Sequence, residues 1–193
     1  MKEFWSERIR DIVPYTPGEQ PRDRKFIKLN TNENPYPPSE QAVKAMREAV
    51  NADLRLYPDP ECTQLRAAAA ACWGVKPEQV FCGNGSDEIL AFCFQAFFDP
   101  GRPVVFPKIT YSFYPVYTDY FGLDRREVPM NPDFSDPVEL LCGNNGGVVL
   151  ANPNAPTGIA VGLDVVEKLL QANPDVVVIV ELDWPGKPAA PAA

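Results

Sequence analysis

Apolar residues along this chain follow two spacings. From Val80 to Val180, short apolar runs alternate with segments whose apolar positions recur every three or four residues. The runs Val80–Cys82, Pro103–Phe106, Arg125–Val128, Val148–Ala151 and Val176–Val180 predict strands. The segments Ser86–Phe98, Tyr111–Phe121, Pro137–Cys142 and Leu163–Ala172 predict helices. Strands and helices alternating over short loops predict an α/β unit: a mostly parallel sheet with helices on both faces. Val148–Leu150 and Val176–Val180 lack polar alternation, as strands buried on both faces should.

Ahead of Val80 the pattern is looser. Residues 2–12 predict a short helix with Phe4, Trp5, Ile9 and Ile12 on one side. Tyr15 to Arg24 is rich in Pro, Gly and charge and predicts an extended arm, and Phe26–Leu29 a short strand. Residues 29–38 hold Asn30, Asn32 and Asn34 with Pro35, Pro37 and Pro38, a composition for a polar loop. Ser39 is placed to cap a helix running to about Val50, with Ala42, Met46 and Ala49 inward. After a turn at Tyr57–Pro60, a second helix to about Trp73 would bury Leu65, Ala69 and Cys72, and Gly74 would end it. Pro185 to Ala193 contains only Pro, Gly, Lys and Ala and predicts a flexible tail. The implied division is an arm over 1–38, an α/β domain over 39–184 and a tail over 185–193.

One turn stands out chemically. In Gly83-Asn84-Gly85-Ser86-Asp87-Glu88, Ser86 is placed as an N-cap and Asp87 and Glu88 in the first helical turn. Two glycines permit a tight approach, and free N–H groups at a helix start form an anion seat. The same residues also describe a capped turn with no ligand. In a parallel sheet, ligands sit at the carboxyl ends of the strands. This turn, the loop at Tyr111 and the loop after Ala151 all fall there.

Composition narrows the chemistry. The chain has no histidine, which removes Ser-His and Cys-His catalysis and most zinc sites. Lys, Tyr, Asp, Asn or a cofactor must carry the chemistry. Five cysteines, with no Cys-x-x-Cys pair, fit reduced thiols and a cytoplasmic setting. The net charge of −8 disfavours nucleic acid; the basic group Arg22, Arg24, Lys25 and Lys28 is interrupted by Asp23. No apolar run approaches the roughly 20 residues of a membrane span. A nucleotide-binding domain ranks last, since Gly-x-Gly-x-x-Gly and a P-loop lysine are both missing from the turn.

Five motifs stand in a telling order: LNTNENPYPPS (29–39), YPDP (57–60), GNGSDEIL (83–90), ITYSFYPVY (109–117) and NPNAPTG (152–158). From about Ile27 to Ile179 the chain resembles the N-terminal half of the histidinol-phosphate aminotransferase family, fold-type I enzymes of pyridoxal 5′-phosphate (PLP). Threonine-phosphate decarboxylases and related aminotransferases look similar. The resemblance implies the fold-type I large domain, truncated, with an N-terminal arm and a Pro/Ala tail. It implies that Gly85, Ser86 and Asp87 hold the cofactor phosphate and that Tyr111 stacks on the pyridine ring. Tyr57 would reach the cofactor of a neighbouring subunit in a homodimer, and Asn32 and Asn34 would line the substrate pocket. Ala155 stands where an Asn often donates to the ring hydroxyl, so Asn154 or Asn152 would substitute. An Asp facing the pyridinium nitrogen is expected at Val180, with neither Glu181 nor Asp183 in register to replace it. The Schiff-base lysine lies further downstream in the family, and Lys187, which follows no strand, is not assigned that role. The break in composition near Val180 reads as a truncation or a reading-frame change. The implied activity is transfer of an amino group between an amino donor and a 2-oxo acceptor, with this chain inactive alone. The alternatives are a non-catalytic module that binds PLP, phosphate or only a partner subunit, and a threonine-phosphate decarboxylase-like enzyme.

Overall fold

The computed structural model describes residues 4–10, 12, 27, 29 and 33–182. The arm over 15–24, the loop residues 30–32, most of the strand expected over 26–29 and the tail over 185–193 lie outside the described residues. The described residues form two compact units divided between Cys82 and Gly83.

The unit after Gly83 is built on four parallel strands: β1 (Val104–Pro107), β2 (Arg125–Val128), β3 (Gly147–Ala151) and β4 (Val178–Glu181). Their order is β2-β1-β3-β4. Chain order therefore reverses between β1 and β3, and such a reversal opens a crevice at the carboxyl ends of the two strands. Register sets Val148 opposite Val178 and Ala151 opposite Glu181.

Strand alternation sends side chains to two faces. Val104, Phe106, Val149 and Ala151 pack with Leu90, Phe94 and Phe98 from the α4 region and with Tyr114 and Tyr117 of α5. Here α4 is Gly85–Phe97 and α5 is Phe113–Phe121. On the other face, Val105, Val148 and Leu150 pack with Leu169 of α6 (Leu163–Ala172) and with Leu141 of a 3-10 turn, Val138–Leu141. Both faces are covered, as the apolar runs require. A short helix, α1 (Glu7–Arg10), shares this unit and is shorter than the helix expected over 2–12.

The unit before Gly83 holds α2 (Glu40–Ala49) and α3 (Thr63–Trp73). Ser39 Oγ accepts the Ala42 N–H at 3.2 Å and caps α2 as expected. Asp59 accepts the N–H groups of Glu61 and Thr63 at 3.0 and 2.8 Å, fixing the turn that leads into α3. Arg66 ties α3 to the carbonyl of Pro77 and to the Glu61 carboxylate. Gly74 ends α3 at φ +69°.

Three expectations fail here. Val80–Cys82 forms no strand, and Phe81 is mostly exposed. Ala42, Met46 and Ala49 are exposed, and α2 buries no residue. On α3, Leu65 and Cys72 are exposed and Ala69 half-buried, while Ala70 is the buried position. Helical spacing identifies a stripe correctly, but a stripe is buried only where another layer covers it. Among the described residues no helix is long and apolar enough to cross a membrane.

One buried charge has a measurable consequence. Asp136 is buried, and both its carboxylate oxygens lack a hydrogen-bond partner among the described residues. Burial pushes its carboxyl up to about 6. The folded form thus holds a proton more tightly than the unfolded one. Stability is full below the ordinary carboxylate range and declines as pH rises through 6. Asp136→Asn should stabilise the fold by about 1 kcal/mol at pH 7, less than the full displacement because the amide still buries polar atoms. The gain should shrink toward pH 4 in urea unfolding, and a gain independent of pH would contradict the burial.

Candidate functional site

The site is built from the start of α4 outward. Gly85, at φ +83°, takes a backbone shape that side-chain-bearing residues avoid. At Gly83 an added Cβ would meet Ile89 Cδ1 at 2.5 Å and Glu88 Oε2 at 2.9 Å, so a side chain there would displace the ends of both. The Glu88 carboxylate folds back to accept the Asn84 N–H at 2.6 Å. Helical structure begins at Gly85 with Asn84 flanking it, and no side chain caps it. Ser86, expected as the N-cap, instead lies inside the first turn. Glu88 has taken the capping task from the other direction, as in half of a capping box. The N–H groups of Gly85, Ser86 and Asp87 have no hydrogen-bond partner among the described residues. They stand at the positive end of a 13-residue helix.

Asp87 turns its side chain toward α5. Tyr111 Oη donates to Asp87 Oδ1 at 2.8 Å. Tyr117 Oη donates to the Asp87 carbonyl at 2.9 Å and to the same Oδ1 at 3.3 Å. Tyr114, fully buried, donates to Glu181 Oε2 at 2.5 Å. The rings of Tyr111 and Tyr114 meet edge to face at 5.7 Å, and Tyr111 lies nearly parallel to Phe113 at 5.8 Å. Burial first, then the Asp87 bond and charge, push the Tyr111 phenol far above its usual range. Tyr114 is raised in the same way by burial and by Glu181. For Tyr117 the causes are burial and then the Asp87 charge. All three phenols therefore keep their protons and act as donors at neutral pH.

Asn154 joins the two strand-end loops. Its Nδ2 donates to the Ile109 carbonyl at 2.9 Å and to Thr157 Oγ1 at 3.1 Å. This pins the loop after β3 to the loop after β1, across the reversal in strand order. The side chain is buried, and its Oδ1 is left without a partner among the described residues. Both donors expected for a ring hydroxyl are thus spent on the protein, and the unpaired atom is an acceptor. Asn152 is likewise committed, exchanging two hydrogen bonds with Val161.

Gly85, Ser86, Asp87, Tyr111 and Asn154 therefore belong to one unit and one sheet end. Tyr57 belongs to the other unit and is fully exposed. Asn34 also lies there, its Oδ1 accepting the Tyr36 N–H at 2.9 Å, and Asn32 lies outside the described residues. Sequence reasoning missed Tyr114, Tyr117 and Glu181. The Glu181 signal was strand parity. Val177 and Ile179 pack on the α4–α5 face, and Glu181 follows at the same two-residue step. An acidic residue ending an otherwise apolar buried strand is the legible clue; Val180 is on the opposite parity.

The sequence model of aminotransferase class I and II matches residues 24–182. The chain belongs to this family. Histidinol-phosphate aminotransferase of Clostridium beijerinckii is 50% identical over 181 residues, covering 94% of this chain and 51% of that protein. The enzyme of that name from Pseudomonas syringae pv. syringae is 50% identical over 192 residues, covering 98% and 55%. The chain thus spans about half the length of the curated relatives it matches. Among solved structures, histidinol-phosphate aminotransferase from Sinorhizobium meliloti in complex with pyridoxal-5′-phosphate superposes with a TM-score of 0.71 at 28% identity, over 78% of this chain and 42% of that one. A Thermus thermophilus aspartate aminotransferase mutant shares the fold with a TM-score of 0.76, at 24% identity, over 94% of this chain and 51% of that one. The parallel sheet with helices on both faces is that of a fold-type I aminotransferase.

Asp87 is the acceptor for two phenols in this aminotransferase fold. Asp87→Ala should destabilise the unit by about 1–2 kcal/mol, because Tyr111 loses its acceptor while Tyr117 keeps the Asp87 backbone carbonyl and loses only its longer bond. Tyr111→Phe, which removes one donor and leaves Asp87 its second, should cost about 1 kcal/mol. Equal losses in chemical denaturation would show that Tyr117 does not share the carboxylate.

Proposed function

We propose that this chain is the cofactor-seating half of a PLP-dependent aminotransferase acting on histidinol phosphate or a close amino phosphate, with a 2-oxo acid as acceptor, in the cytoplasm and as a homodimer. The carrying observation is at the carboxyl end of the sheet: three helix N–H groups unpaired among the described residues, an aromatic platform and a strand-end carboxylate occur in one unit. The relatives at about 50% identity supply the substrate class.

The residues present suit such a cofactor. Its phosphate is an anion, and the start of α4 offers Gly85, Ser86 and Asp87 N–H groups with the helix dipole behind them. Asp87 would repel a phosphate if its charge faced it, but Oδ1 is occupied by Tyr111 and Tyr117. Tyr111 supplies a ring face, and Asn154 Oδ1 a buried acceptor for a ring hydroxyl. Glu181 supplies a carboxylate for a protonated ring nitrogen, the role that the sequence pattern expected of an Asp. When bound, the cofactor supplies an electron sink for the substrate's α-carbon. The protein's part here is to hold the phosphate, keep the ring oriented and keep its nitrogen protonated. No lysine of this chain is assigned to bond the cofactor, and Tyr57 would act across a dimer.

The test uses the purified 193-residue chain. PLP should bind at one equivalent per chain, and inorganic phosphate should compete with it. Binding that phosphate does not weaken would remove α4 as the phosphate seat. With histidinol phosphate and 2-oxoglutarate added, the chain alone should form no glutamate. Turnover on the order of 1 per second would mean that one of its own lysines bonds the cofactor.

A further inference from the structure

Glu181 is held at three points. Its carbonyl accepts the Asn152 N–H at 2.8 Å, its backbone lies in register with Ala151, and its Oε2 accepts the Tyr114 hydroxyl at 2.5 Å. Oε1 has no hydrogen-bond partner among the described residues. The phenol that grips Oε2 cannot readily move. Tyr114 is wholly buried, with Phe94 stacked at 6.3 Å, Phe106 edge-on at 5.7 Å and Tyr111 edge-on at 5.7 Å. A buried tyrosine hydroxyl needs an acceptor. Here the acceptor is the last residue of a strand rather than a nearby carbonyl. A bond from a neutral donor to a carboxylate both orients the acid and favours its charged form.

We infer that Tyr114 is a positioning residue: its hydroxyl fixes the Glu181 carboxylate at the carboxyl end of β4, so that Oε1 is presented as the acceptor for a protonated ring nitrogen. This rests on the cofactor reading above. Glutamate has one more side-chain carbon than the aspartate expected at the ring nitrogen and so one more rotor to restrain. The Tyr114 bond supplies that restraint. The other titratable groups of the cluster are Asp87, Tyr111 and Tyr117, and both phenols among them already donate to Asp87. Tyr114 is thus the one phenol of the cluster committed to Glu181.

The experiment has two arms. In the ligand-free chain carrying tyrosine labelled at the ring carbon that bears the hydroxyl, the Tyr114 signal is identified by its loss in Tyr114→Phe. Glu181→Gln should shift that signal. An unmoved signal means that the pairing does not exist and overturns the proposal, whether or not PLP binds. In the second arm, PLP labelled with 15N in its ring is added, and the nitrogen shift reports protonation. Tyr114→Phe, which keeps the ring and its packing, should let the nitrogen lose its proton about one pH unit lower. That is a tenfold change, the order expected for a hydrogen bond to a charged group. In a Glu181→Gln background, Tyr114→Phe should add nothing. An equal effect in both backgrounds would make Tyr114 merely structural and overturn the proposal. Failure of the unmodified chain to bind PLP would overturn the cofactor reading, while the tyrosine spectrum would still decide the pairing.

Discussion

A phenol buried in a core must place its proton on an acceptor, and this constraint organises the carboxyl end of the sheet. Tyr111, Tyr114 and Tyr117 share one apolar cluster with Phe94 and Phe106. Their hydroxyls converge on Asp87 and Glu181, one at the start of α4 and the other at the end of β4. The packing of α5 thereby fixes the direction of two carboxylates that belong to other elements. The bonds of Tyr114 and Tyr117 are part-buried, where a hydrogen bond is stronger than in water and losing it is costly, while the Tyr111 bond is exposed. The helix terminus and the strand end are held in one arrangement by core side chains rather than by loop geometry.

The reversal of strand order between β1 and β3 provides the place for that arrangement. Asn154 links the loops on either side of it through the Ile109 carbonyl and Thr157. Its role in the protein is therefore partly architectural. The same logic separates Ser86 from Asp87. Ser86 has a backbone N–H without a partner among the described residues, while Asp87 has such an N–H and also the carboxylate that orders Tyr111.

Much of this was legible in the residues. The period-free apolar runs identified β3 as a strand buried on both faces, and the helix from Leu163 to Ala172 was read to the residue. The motifs that single out the glycine turn, Tyr111 and Asn154 come from segments that the structure places in one unit. What was not legible depended on layers the sequence does not display. Met46 and Leu65 have helical spacing and are exposed all the same. Val80–Cys82 has strand composition and forms no strand. At Ser86, identity suggested a cap, yet Glu88 performs it by reaching back, which only geometry reveals. The family pattern expects its acid at Val180, which lies on the opposite parity to Glu181. The alternation of β4 puts the acid on the tyrosine face.

The central claim is that the start of α4 is the phosphate seat of a cofactor whose ring lies toward Tyr111 and Glu181. A map of backbone amide shifts on adding PLP to the 15N-labelled chain tests it most directly. The account predicts that residues 83–88 respond first and that inorganic phosphate reproduces their shifts. Residues 111 and 181 should respond to PLP and not to phosphate. Shifts spread evenly over the surface, or centred away from the start of α4, would contradict it.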